Sequence, residues 1–73
     1  MSLPVIAIVV PCYNEEAALP ISVARLLGLL DRMSADGLVS PDSYILCSND
    51  GSRDGTWGVI ERLHADDKRL KGI

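Results

Sequence analysis

Two short apolar runs, each followed by a helical pattern, constrain the fold of this chain more than any other feature. The first run occupies residues 5–10 and the second occupies residues 44–47. Both are too short for a helix and are rich in β-branched or aromatic residues, which favour strands. Pro11 follows the first run, and because proline has no N–H to donate to a central ladder, that strand is predicted to end near Val10.

A helical pattern connects the two predicted strands. Apolar residues recur there at helical spacing, at Val23, Leu26, Leu27, Leu30 and Met33. Pro20 is acceptable only in a first turn, so the helix is predicted to begin at Leu19 or Pro20. Asn14 is a candidate cap, and Glu15 and Glu16 lie where the helix dipole favours negative charge.

Gly37 ends this helix, and a second helical pattern follows the second strand. Its stripe consists of Trp57, Ile60, Leu63 and the boundary residue His64. Thr56 or Asp54 is the predicted cap, and residues 69–73 begin a third strand. The order strand, helix, strand, helix, strand predicts an α/β fold with a parallel sheet, and the continuous apolar runs predict helices on both of its faces.

The chain is long enough for one small domain only. Of its 73 residues, 48% are hydrophobic and 23% charged, a balance typical of a globular core rather than a disordered segment. A parallel sheet of this order would be half built at residue 73, so residues 1–73 are predicted to be the N-terminal part of a longer domain. Open strand edges are templates for pairing, which predicts self-association through them.

Composition also restricts the kinds of binding partner and the cellular compartment that are expected for this chain. The net charge is −3 and the basic residues are scattered except for Lys68, Arg69 and Lys71, so no nucleic-acid-binding face is expected. Cys12 and Cys47 are too few for a disulfide scaffold, which favours free buried thiols and a cytoplasmic setting. No apolar run reaches the ~20 residues of a membrane span, and no basic segment precedes residues 5–10 as an export signal requires.

Two polar loops follow the ends of the two predicted strands. PCYNEE covers residues 11–16, and NDGSRDGT covers residues 49–56. In open parallel sheets ligands bind beyond the carboxyl ends of the strands, so both loops are candidate functional sites. In a purely structural interpretation Gly51 and Gly55 permit a tight turn and Asp54 caps a helix, but Asp50 is then unexplained.

Calcium binding is one alternative for the second loop. Counting from Asp50, oxygen donors stand at EF-hand spacing, with Gly55 at the sixth place and Glu61 at the twelfth. An EF-hand loop follows a helix, however, whereas the residues before Asp50 have strand character. A phosphate-binding loop is disfavoured as well, because neither glycine-rich phosphate motif occurs in the chain.

Together the two loops resemble family 2 glycosyltransferases of the GT-A fold, a Rossmann-like fold of nucleotide-diphospho-sugar transferases. VVPCYNEE is similar to the family's V-P-x-Y-N-E loop, and CSNDGSRDGT is similar to its D-D-G-S-x-D-G-T motif. The similarity is greatest to polyprenyl-phosphate (dolichyl- or undecaprenyl-phosphate) sugar transferases. The first aspartate of the family motif is Asn49 here, which removes a charge but keeps an acceptor.

The resemblance implies a nucleotide-sugar site and assigns roles to four residues. Pro11 and Tyr13 would flank or stack on the base. Glu15 would lie close to the nucleotide-sugar, and Asp50 would accept a hydrogen bond from the base. An aromatic ring provides stacking worth about 1–3 kcal/mol, and the ring N–H of uracil is a donor that a carboxylate can accept. The alternatives are that Tyr13 packs in the core and that Asp50 caps the helix.

The resemblance further implies an inverting transferase that moves a sugar from a donor such as a UDP-sugar to an acceptor such as a polyprenyl phosphate, with the full-length protein at the cytoplasmic face of a membrane. The family's D-x-D motif, which brings in Mg²⁺ or Mn²⁺, and its catalytic base have no counterpart in residues 1–73. Asp66 and Asp67 are adjacent rather than spaced, and are interpreted as solvated. No catalytic or metal-binding residue is therefore expected in this chain, which by itself is predicted to be inactive.

Overall fold

The computed structural model describes residues 2–49 and 55–73. Its elements are strand β1 (Ala7–Cys12), helix α1 (Leu19–Ala35), strand β2 (Tyr44–Asn49), helix α2 (Thr56–Asp66) and strand β3 (Leu70–Gly72). The strands form a parallel sheet in the order β1-β2-β3. The predicted α/β order and parallel sheet are thus confirmed.

Strand β1 continues past its predicted end at Val10 and includes Pro11. Within the described residues β1 is an edge strand, and the Tyr44 N–H donates to the Ile6 carbonyl at 3.0 Å. In a parallel strand the backbone N–H and C=O groups of alternate residues point toward the same neighbouring strand. The backbone groups of the even-numbered residues of β1 therefore point toward β2. The missing N–H of Pro11 is therefore on the side away from β2, where no ladder hydrogen bond is lost.

Both helices pack on one face of the sheet. The core consists of Cys12, Leu19, Val23, Leu30, Ile45, Cys47, Val59, Ile60 and Leu70. On the opposite face Val9 is 60% exposed. Connections between parallel strands are right-handed, so two connections that proceed in the same direction across a sheet place both helices on the same side. The prediction of helices on both faces is therefore wrong for the described residues.

Helix α1 begins and ends where the sequence indicated. It starts at Leu19, with Pro20 in the first turn. At its end Gly37 has a φ of +71°, and the Leu38 N–H donates to the Met33 carbonyl at 2.9 Å. Glycine adopts this left-handed conformation without strain, which explains the end of the helix. In the part of the chain that the structure describes, neither helix combines the length and the apolar character that a membrane span needs.

Arg69, just before β3, forms ion pairs with a residue of α1 and with the residue that follows α2. Its guanidinium donates to Asp67 Oδ2 at 2.8 Å and to Asp31 Oδ1 at 2.6 Å. Hydrogen bonds from Arg69 hold the pKa of the Asp67 carboxyl below its usual range. Asp67 is thus paired rather than solvated, contrary to the sequence interpretation, whereas its neighbour Asp66 is exposed as expected.

Strands β1 and β3 are the edges of the described sheet. At β3, Nδ1 of the half-buried His64 lies 2.6 Å from the carbonyl oxygen of Leu70. This contact occupies a backbone carbonyl with which an added strand would otherwise pair. The boundary position predicted for His64 is confirmed. Self-association through the sheet edges stays a prediction, which sedimentation of the chain tests.

Ser43→Ala is expected to destabilise the fold by about 1–3 kcal/mol, the usual cost of a buried donor without a partner. Ser43 is 2% exposed, and its Oγ accepts the Ile6 N–H at 3.0 Å. Ser40→Ala is the matched control, because Ser40 Oγ accepts the exposed Asp42 N–H, which water can satisfy instead. Urea unfolding measures both variants, and equal losses would contradict this role of Ser43.

Candidate functional site

The carboxyl ends of β1 and β2 lie side by side. The register pairs Pro11 with Ser48 and Cys12 with Asn49, so the loops after both strands leave the same edge of the sheet. The loop after β1 is described throughout, whereas residues 50–54 after β2 lie outside the described ranges. The structure therefore places the PCYNEE loop beside the end of β2, as parallel pairing predicts.

Tyr13 is exposed at this edge. Its exposed fraction is 59%, so the alternative that it packs in the core is wrong. Pro11, which precedes it, is exposed as well. Asn14 follows with a φ of 51°, a left-handed conformation that asparagine adopts more readily than most residues. The chain turns at Asn14 and leaves the Tyr13 ring accessible from solvent.

Two hydrogen bonds join the PCYNEE loop to the start of α2. The Glu15 N–H donates to Thr56 Oγ1 at 3.0 Å, and the Gly55 N–H donates to Glu16 Oε1 at 2.6 Å. We call this pair of hydrogen bonds the loop brace. Together the two bonds join adjacent residues of one motif, Glu15 and Glu16, to adjacent residues of the other, Thr56 and Gly55, so the two motifs are directly connected.

The loop brace takes the place of the caps expected for α2. The N-cap residue is Gly55, and Thr56 is fully buried with its hydroxyl accepting from the other loop. The prediction that Thr56 caps α2 is therefore wrong. The other predicted cap, Asp54, lies outside the described residues.

The start of α1 also differs from the sequence interpretation. Its N-cap residue is Ala18, without a side-chain cap, and its first turn has no acidic residue. Glu15 and Glu16 precede that turn, so they do not supply the charge expected for α1. The Glu16 carboxylate lies instead at the N-terminus of α2.

Two buried thiols lie near the carboxyl ends of β1 and β2. Cys12 and Cys47 are free and buried, as predicted. Burial, together with the neighbouring Cys12 and the Glu15 charge, raises the pKa of Cys47 to about 12. Burial also raises the pKa of Cys12, although a hydrogen bond with Cys47 lowers it. Both thiols are therefore protonated at neutral pH, a state in which they are poor nucleophiles.

Asn49 ends strand β2 with a buried acceptor. Its N–H donates to the Ile73 carbonyl at 3.0 Å, and its side-chain Oδ1 is buried without a hydrogen-bond partner among the described residues. A buried acceptor without a donor costs about 1–3 kcal/mol. Asn49 thus offers a neutral acceptor beside the loops, at the position where the family motif has an aspartate.

Of the four predicted site residues, Pro11 lies near the end of β1, and Tyr13 and the half-buried Glu15 lie on the loop that follows it. Asp50 lies outside the described residues. Sequence reasoning missed Glu16, and treated Thr56 only as a cap. The sequence did contain a signal for Glu16. Because Pro20 is acceptable only in a first turn, α1 begins at about Leu19, and Glu16 lies too early in the chain to belong to that turn.

The described residues do not form a metal site. In residues 2–49 and 55–73, no group of three or more His, Cys, Asp or Glu side chains could hold a metal ion. The calcium alternative depends on Asp50 and its neighbours, which lie outside these ranges. The element before Asp50 is a strand rather than the helix of an EF-hand, and Glu61 is exposed within α2.

Comparison with known proteins identifies the class of protein. Residues 7–73 match the family described as Glycosyl transferase family 2. This match covers nearly the whole chain, including both motif loops. The chain belongs to glycosyl transferase family 2, a family of enzymes.

Named relatives agree with this class. The "Uncharacterized glycosyltransferase YkoT" of Bacillus subtilis (strain 168) is 38% identical over 72 residues, which are 99% of this chain and 21% of the relative. An "Undecaprenyl-phosphate 4-deoxy-4-formamido-L-arabinose transferase" of Shewanella sediminis is 36% identical over 69 residues, 93% of this chain and 19% of the relative. A protein of the same name from Aeromonas hydrophila is 29% identical over 72 residues, 97% of this chain and 20% of the relative. The chain spans about a fifth of the length of these relatives. No solved structure matches it significantly.

The buried thiol of Cys47 is expected to make stability fall at alkaline pH. Its folded pKa is raised above the unfolded value of about 8.5, so its contribution is fully present below that pH and is lost above it. The slope is about 1.4 kcal/mol per pH unit, up to the folded pKa of about 12. Cys47→Ala is expected to reduce this slope. Urea unfolding between about pH 7 and pH 11 measures it, and equally steep falls for both proteins would contradict the assignment.

Proposed function

We propose that this chain is the nucleotide-sugar-binding portion of an inverting glycosyltransferase, which transfers a sugar from a nucleotide-diphosphate donor to an acceptor. Membership in glycosyl transferase family 2 supports the sugar transfer. The observation that carries the nucleotide proposal is the loop brace. It holds the exposed Tyr13 beside the end of β2, where Asn49 offers a buried acceptor.

The proposed roles of the residues follow from their positions and chemistry. Tyr13 stacks on the base and Pro11 flanks it, because both are exposed at the carboxyl edge of the sheet. Glu15 lies close to the nucleotide-sugar, since its backbone is fixed to Thr56. Asp50 accepts a hydrogen bond from the base, and the ring N–H of uracil makes UDP the proposed nucleotide.

A polyprenyl phosphate is the proposed acceptor. Two of the relatives carry undecaprenyl-phosphate in their names. The acceptor is a membrane lipid, and the free thiols are compatible with the cytoplasm, so we place the reaction at the cytoplasmic face of the membrane. For the complete enzyme we propose Mg²⁺ or Mn²⁺, which would neutralise the diphosphate, with ligands from outside the described residues.

UDP is expected to bind the chain, and Tyr13→Ala is expected to weaken binding by about 5- to 150-fold, the equivalent of about 1–3 kcal/mol of stacking. Tyr13→Phe keeps the ring and is the matched control, with affinity close to that of the unmodified chain. Calorimetry with UDP, and with GDP for comparison, measures these affinities. Equal affinities of the unmodified and Tyr13→Ala chains would exclude stacking, and no heat from any nucleotide would contradict the nucleotide site.

The chain alone is expected to show no turnover of a UDP-sugar with undecaprenyl phosphate, because no catalytic base is assigned to its residues. Product formation above the rate without protein would contradict this expectation.

The same calorimetry with Ca²⁺ and no nucleotide tests the alternative function. Heat from Ca²⁺ alone at micromolar concentration would favour a calcium-binding module that includes Asp50 and Glu61.

A further inference from the structure

We propose that Glu16 is a positioning residue for the nucleotide site, an inference that rests on the proposed function. Glu16 is not among the residues to which a nucleotide contact is assigned. Its carboxylate instead holds the start of α2 against the loop that carries Tyr13. Three features of the described residues support this role.

The first feature is the charge of the contact. The Gly55 N–H donates to Glu16 Oε1 at 2.6 Å, and hydrogen bonds to a charged acceptor are shorter and stronger than neutral ones. Gly55 is the N-cap of α2, where the peptide dipoles leave a partial positive charge. The first turn of α2 has no acidic residue of its own. Glu16 therefore supplies this helix with negative charge from another segment of the chain.

The second feature is the close fit between the two residues. A Cβ added to Gly55 would lie 2.5 Å from Glu16 Oε1 and 2.9 Å from its Cδ. Gly55 has a φ of −80° and a ψ of 18°, a conformation that alanine also adopts. The backbone conformation therefore does not require glycine here. An added Cβ would instead displace the Glu16 carboxylate, the end of a flexible side chain, from the Gly55 N–H.

The third feature is the geometry of the loop brace as a whole. Glu15 and Glu16 are adjacent, and they bond to the adjacent residues Thr56 and Gly55. Two such bonds fix both the distance and the orientation between the segments, whereas one bond would leave rotation about it free. Tyr13 lies just before the brace in the sequence. Loss of the Glu16 contact would therefore change the orientation of the Tyr13 ring without removing any proposed nucleotide contact.

Gly55→Ala, Glu16→Ala and the double variant test this role with the same probe, UDP. Each single variant is expected to lower the UDP affinity by about 5- to 50-fold, because Glu16→Ala removes the acceptor of the charged hydrogen bond and the Cβ of Gly55→Ala displaces that acceptor. Once Glu16 is alanine, the added Cβ on Gly55 no longer meets a carboxylate. The double variant is therefore expected to bind about as weakly as Glu16→Ala alone. Losses that multiply in the double variant would overturn the proposal.

Conservative and distant variants separate positioning from general stability. Glu16→Gln keeps an acceptor for the Gly55 N–H and is expected to retain most of the affinity. Asp66→Ala removes an exposed acid from the other end of α2 and is expected to bind UDP as the unmodified chain does. Unfolding free energies, together with hydrogen exchange at the Gly55 and Glu15 amides, are measured for every variant. A Glu16→Ala chain that loses stability but binds UDP normally while folded would overturn the positioning role.

These outcomes also distinguish failure of the inference from failure of the proposed function. If the unmodified folded chain binds no nucleotide, the nucleotide site is wrong and the role of Glu16 in it is wrong as well. If the unmodified chain and Glu16→Ala bind UDP equally, only the role of Glu16 is wrong.

Discussion

The loop brace is the interaction on which the arrangement of the candidate site depends. Parallel pairing brings the end of β1 close to the end of β2, but proximity alone leaves the backbones of both loops free to move. Thr56 is fully buried, so its hydrogen bond from the half-buried Glu15 is partly shielded from water, which strengthens it. Glu16 is exposed and acts through its charge at the end of a helix. The brace thus joins the same two segments by one partly buried contact and one exposed, charged contact.

Among the described residues, the charges at this edge suit an uncharged part of a ligand better than an anionic one. Glu15 and Glu16 bring two carboxylates to the loop, and the thiols of Cys12 and Cys47 are kept protonated by burial. A diphosphate would be repelled by such a surface, whereas the exposed ring of Tyr13 can stack on a neutral base. The described residues are therefore consistent with recognition of the base end of the proposed donor.

Hydrophobic patterning predicted the elements well, because local residues determine them. The apolar runs correctly predicted strands β1 and β2, and Pro20 correctly predicted the start of α1. Contacts between distant segments could not be predicted in this way. The roles of Glu16 and Thr56 depend on a neighbour some forty residues away. A capping rule considers only adjacent sequence, so it assigned Glu16 to the wrong helix and gave Thr56 the wrong role.

The open face of the sheet determines where a further strand can lie in a longer protein of this family. Both connections proceed from β1 toward β3, which places both helices on the face opposite Val9. A right-handed connection that covers the Val9 face must proceed in the other direction, with its strand beside β1. The direction of winding would then reverse at β1, and open α/β sheets bind their ligands at such a topological switch point. The loop that carries Tyr13 follows β1 directly, so it would border the crevice created by that reversal.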